Sequence, residues 1–106
     1  MSAGREAETA AFAELERLRT AIEELDRRLV ELIAERVRLA REVGVAKRAG
    51  GRPTLDPSRE AAVVRRAGAL AREAGLAEED VRDIFWHLIG LSRRAQAQGA
   101  RDERDA

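Results

Sequence analysis

The stretch LERLRTAIEELDRRLVELIAERVRLAREVGVAKRA, residues 15–49, decides the fold. Its apolar positions are Leu15, Leu18, Ile22, Leu25, Leu29 and Leu32, then, after Arg36, Leu39, Val43 and Ala46. The steps alternate three and four, which lays one stripe along an α-helix and sustains a heptad seam. Gly50, Gly51 and Pro53 end the helix near Ala49.

Working outward, Asp56 reads as a helix N-cap with Pro57 in the first helical position. A second helix runs to about Ala74, with Val63, Val64, Ala67, Leu70 and Ala74 on one stripe. Gly75 followed by Leu76 fits a left-handed helix stop with an apolar residue just beyond it. A third helix opens around Ala77, a poor cap, and puts Glu78, Glu79 and Asp80 at its positive end. Its stripe is Val81, Ile84, Phe85, Leu88 and Ile89, and it frays past Gln98. Residues 1–13 lack periodicity and read as a flexible arm, and residues 99–106 as a mobile tail. The expectation is therefore an all-α chain of three helices, with one domain over residues 14–98.

Length adds a statement about assembly. A helix over residues 14–49 is about 54 Å long at 1.5 Å per residue. A compact globule of this chain's 106 residues has a diameter of roughly 33 Å. Two shorter helices cannot cover a seam of that length, so a second copy is expected to share it, in an intertwined helical homodimer.

Composition narrows the function. Hydrophobic residues make up 44% and aromatics 3%, which favours packed helices over sheet or disorder. Twenty basic residues balance 20 acidic ones, so a strongly basic nucleic-acid binder is disfavoured. The absence of Cys removes thiol chemistry and disulfides, and with one His a transition-metal site is not expected. No apolar run approaches the roughly 20 residues that span a bilayer. MSAGREAETA lacks the apolar core of a signal peptide, so a cytoplasmic protein is expected. Of the 20 basic residues only Lys47 is a lysine. Either coding bias missed one position, or a compact ammonium is needed where a guanidinium fork will not serve.

Several polar residues sit where apolar ones belong. Arg36 interrupts the seam, Ser92 and Gln96 continue the third helix's stripe, and Glu60 lies one turn before Val63 and Val64. Singly, each has an ordinary explanation, such as fixing register or facing solvent near a helix end. Together with Lys47, eleven residues after Arg36 on a similar face, they suggest a mostly positive pocket inside a helical bundle. Such a pocket suits an anionic small molecule. Trp86 and the lone His87 receive no role, and the Arg65-Arg66 and Arg93-Arg94 pairs read as solvated faces.

The runs LRTAIEELDRRLVELIAERVRLAREVGVAK (18–47), RPTLDPSRE (52–60) and IGLSRRAQ (89–96), in that order, resemble the all-helical AroQ-type chorismate mutases. The resemblance covers about residues 14–98. It implies a dimer of three-helix chains with two active sites, which rearrange chorismate to prephenate on the route to phenylalanine and tyrosine without a cofactor. By position it implies that Arg19 and Arg36 bind the two substrate carboxylates. Lys47 and Gln96 would hydrogen-bond the ether oxygen of the breaking bond. Glu60, with Asp56 nearby, would hold the ring hydroxyl, and Arg59 and Ser92 would line the same site.

The chemistry suits these residues on its own terms. A [3,3] rearrangement needs no nucleophile, proton transfer or metal. It needs a flexible dianion held in a compact chair, which Arg forks can supply, and a cation where negative charge grows on the ether oxygen. Arg19 poses a geometric problem, because on one straight helix it lies about 25 Å from Arg36 and about 42 Å from Lys47. If two seams pair antiparallel about residue 31, Arg19 falls opposite roughly residue 43 of the second copy, so it is expected to serve the other chain's site. Competing readings are an isochorismate pyruvate-lyase or aminodeoxychorismate mutase on the same scaffold, and a non-catalytic dimerisation module. Glu60 speaks against the lyase, but it could face an ammonium as readily as a hydroxyl. A partner synthase is left open.

Overall fold

A computed structural model describes residues 2–106. Three helices account for nearly all of them: α1 (Ser2–Ala49), α2 (Pro57–Glu73) and α3 (Glu78–Asp105), with no strand among the described residues. The protein is all-α.

Both outer boundaries differ from the sequence expectation. Helix α1 begins at Ser2 rather than near residue 14. Residues 5–13, REAETAAFA, are rich in Ala and Glu and hold no proline, so backbone hydrogen bonding propagates upstream without an apolar stripe to direct it. Helix α3 continues through the expected tail to Asp105. There, Arg48 near the end of α1 grips Glu103 through Nε (2.7 Å) and Nη2 (2.9 Å).

The helix ends follow local chemistry. Asp56 Oδ1 accepts the Arg59 N–H at 3.1 Å, with Pro57 opening α2. Helices α1 and α2 close with the same C-terminal motif. The Arg52 N–H reaches back to the Lys47 carbonyl (2.8 Å) and the Gly51 N–H to that of Arg48 (3.1 Å). After α2, Leu76 bonds Ala71 (2.8 Å) and Gly75 bonds Arg72 (3.1 Å). Each motif needs one left-handed residue, and Gly51 (φ 68) and Gly75 (φ 73) supply it. Ala77 precedes α3 without a side-chain cap.

The chain divides into two compact units, Met1–Ala34 and Glu35–Ala106. In the first, Leu15, Leu18, Ile22, Leu25, Leu29 and Leu32 stand 43–64% exposed. Its polar surface carries the ion pairs Arg17–Glu14 and Arg19–Glu16.

In the second unit α2 packs against α3. They run antiparallel: Glu60 meets Arg93 near one end, and Arg72 meets Glu78 near the other. The end of α1 lies parallel to α3, since Arg36 bonds Ser92, Gln96 bonds Ala40 and Arg48 bonds Glu103. The core is small and consists of Val64, Ala67, Ala71, Ile89 and Ala95. Leu70 and Ile84, expected on buried stripes, are 48% and 56% exposed. The buried face of α2 instead runs through its small residues, which let the helices approach closely.

Candidate active site

A cavity of about 500 Å³ opens within the second unit. Helix α1 contributes Arg36 and Lys47, the connector Thr54 and Asp56, α2 Arg59, Glu60 and Arg66, and α3 Ser92, Arg93 and Gln96. Leu39, Val43, Val63 and Ile89 supply apolar wall. Seven of the eight site residues expected from the sequence therefore line one space. Arg19 does not: it lies in the first unit, with its Nη1 on Glu16 Oε1 at 3.1 Å.

Most of these polar groups are held by a specific contact. The half-buried Arg36 donates from Nη1 to Ser92 Oγ at 3.0 Å, and its guanidinium lies 5.9 Å from the centre of the Phe85 ring, a cation–π contact. Its place on the seam leaves the side chain half-buried, with one fork nitrogen partnered and the others free to donate. Lys47 Nζ donates to the Thr54 carbonyl at 3.1 Å. Gln96 Nε2 donates to the Ala40 carbonyl at 3.0 Å, and a primary amide keeps a second N–H for another acceptor. Buried Gly44 makes that approach possible, because a Cβ there would sit 3.2 Å from Gln96 Cγ. Asp56 serves as the α2 cap already described.

Glu60 is the most constrained of the set. Arg93 grips it with two hydrogen bonds, Nε to Oε2 at 2.8 Å and Nη2 to Oε1. These bonds hold the Glu60 carboxyl below its ordinary range; partial burial and the neighbouring Asp56 charge oppose the shift, and the Arg93 and Lys47 charges assist it. Glu60 is therefore a carboxylate, an acceptor only.

Arg65, Arg66, Arg93 and Arg94 are all exposed, as expected of solvated faces, and Arg66 and Arg93 in addition line the cavity. A clue lay in the turn: Glu60 precedes Gly75-Leu76 by about as many residues as Arg93 follows it, so an antiparallel α2–α3 hairpin brings the two together. His87 is exposed and outside the cavity. Among the described residues no cluster of His, Cys, Asp or Glu could hold a metal ion, and no helix is long and apolar enough to cross a membrane.

Five cations face two carboxylates across this lining, and Asp56 and Glu60 already have partners. The surplus is positive, with donors converging from three helices. That arrangement can bind a compact anion and stabilise charge on an oxygen atom.

The family model for chorismate mutase type II matches residues 18–97. The chain is 36% identical over 84 residues to a chorismate mutase of Methanocaldococcus jannaschii, covering 79% of this chain and 85% of that protein. It is also 36% identical over 71 residues to a T-protein of Haemophilus influenzae, and 32% identical over 77 residues to one of Enterobacter agglomerans. These matches cover 67% and 73% of this chain, which spans only 19% and 21% of the length of those T-proteins. With the matched family spanning α2, most of α3 and the C-terminal part of α1, the chain belongs to the chorismate mutase type II family.

Proposed function

We propose that the cavity catalyses the rearrangement of chorismate to prephenate, a step toward phenylalanine and tyrosine. One observation carries the reading. Arg36, Lys47, Ser92 and Gln96 converge from α1 and α3 on a space of substrate size, each held by a partner, with positive charge in excess. Arg36, supported by Ser92, binds a substrate carboxylate, and Arg59 lies alongside. Lys47 and the second N–H of Gln96 donate to the ether oxygen, where negative charge grows as the C–O bond breaks. These donors bind the transition state more tightly than the ground state. Glu60 accepts from the ring hydroxyl, and Asp56 orients the start of α2 that presents it. The fixed donors replace solvent reorganisation, and the enclosing walls fold the substrate into a chair. No cofactor enters this scheme.

The active species in this reading is a homodimer. The exposed leucines of the seam favour a second copy, since burying each contributes on the order of 1 kcal/mol. Arg19 then supplies the second carboxylate contact to the other chain's site. In this reading the enzyme works in the cytoplasm. Purified protein incubated with chorismate tests the activity: the substrate's absorbance is expected to fall as prephenate forms. Unchanged chorismate, or release of pyruvate instead, overturns the proposal.

A further inference from the structure

We infer that Arg93 is a specificity-determining positioning residue: by occupying the cation's place beside Glu60, it makes the site accept a ring hydroxyl and reject a ring ammonium. This rests on the proposed mutase reading and deepens it. A carboxylate alone at that spot does not choose between the two groups, because it accepts a hydrogen bond from either. Arg93 removes the ambiguity. Its Nε and Nη2 take one bond on each Glu60 oxygen, a bidentate ion pair that leaves lone pairs free but cancels the charge.

The nearby charges divide: Asp56, whose carboxylate caps α2, adds negative charge beside Glu60, and Lys47 opposes it with positive charge. Arg36, Arg59 and Arg66 complete a lining with a positive surplus. A neutral hydroxyl approaching Glu60 gains its hydrogen bond without Coulombic cost. An ammonium meets a guanidinium already installed, and the two like charges repel. Exposure shows how Arg93 can act without carrying the fold. The Glu60 side chain is 16% exposed and faces the cavity, whereas that of Arg93 is 51% exposed. Replacing Arg93 therefore leaves the small α2–α3 core of Val64, Ala67, Ala71 and Ile89 in place.

The test measures kcat/KM for chorismate and for 4-amino-4-deoxychorismate, at a pH where the amine is protonated, in wild type, R93Q and R93K. The ratio of hydroxyl to amino substrate is expected to fall at least about tenfold in R93Q and to be largely restored in R93K, which returns a cation. The acid limb of the chorismate profile in R93Q should move to higher pH, because Glu60 has lost the partner that holds its proton off. A merely structural Arg93 would lower both substrates in parallel and leave ratio and profile unmoved, and that result overturns the inference. If wild type turns over neither compound, the mutase reading itself fails. Calorimetric affinities of the two compounds for wild type and R93Q then decide the role of Arg93 by the same ratio.

Discussion

Lys47 donates its ammonium to the carbonyl of Thr54 at 3.1 Å, seven residues further along the chain. Its own carbonyl accepts the Arg52 N–H at 2.8 Å. The chain's single lysine is thus tied to the connector by side chain and backbone, and the turn at Gly51 sets where its charge points.

That dependence makes Gly51→Ala informative. The position has open space for a Cβ but a φ of 68°, so the cost is backbone strain alone. We predict a loss of about 1–2 kcal/mol in chemical denaturation. Turnover should fall as well, because the connector that holds Lys47 relaxes. Unchanged stability would show that the turn is not strained by a side chain.

Lys47→Ala should lower kcat far more than it weakens substrate binding, by about 10²–10³-fold, the loss typical of a donor aimed at developing charge. Lys47→Arg should fail too, since the larger planar fork cannot keep both the Thr54 carbonyl and the ether oxygen. Near-normal turnover in the Arg variant would contradict the assignment.

Gln96→Glu tests the donor on α3. The Ala40 carbonyl 3.0 Å away can accept only from the protonated carboxyl, as can the ether oxygen. Activity in this variant is expected below the introduced carboxyl's pKa and lost as pH rises through it, while wild type stays broad. Identical pH–rate profiles would sink the assignment.

Mixed dimers test the proposed homodimer and the proposed role of Arg19 in its shared sites. Arg19→Ala and Lys47→Ala should each be inactive alone. After subunit exchange about half the dimers are mixed. With Arg19 acting in trans, each mixed dimer has one intact site, so activity recovers to roughly a quarter of wild type per chain. Verified exchange with no recovery would rule out the shared site.

The Arg48–Glu103 contact predicts a pH-dependent tether. The hydrogen bond from Arg48 holds the Glu103 carboxyl below its ordinary range. Its folded pKa is therefore depressed, so the stabilisation is fully present above the unfolded value and is lost as pH falls through the folded one. Glu103→Gln should speed amide exchange at the end of α3 at neutral pH, with the difference from wild type vanishing in acid. Equal exchange at neutral pH would show that the pair does not hold the helix end.

Local pattern was enough to read the three helices and to single out most of the residues that line the cavity. Period, caps and glycine stops are local, and backbone hydrogen bonding reads them directly, so all three helices and the turns at Gly51 and Gly75 were legible. Arg36, Ser92, Gln96 and Glu60 stood out because a polar group on an apolar stripe demands a partner. The outer ends of α1 and α3 were not legible, since helix propagation through residues 2–13 and 99–105 needs no apolar pattern. Which polar groups meet depends on how the helices pack. Arg93 and Arg66 lie beside Arg94 and Arg65 in sequence, and nothing local distinguishes the member that faces the cavity. The antiparallel pairing of α2 with α3 makes that choice by bringing Arg93 onto Glu60. The close approach of α1 at Gly44 brings the Gln96 amide within reach of the Ala40 carbonyl. Side chains 33 and 56 residues apart become partners through helix packing, and packing geometry is a property of the surfaces in contact rather than of any one segment.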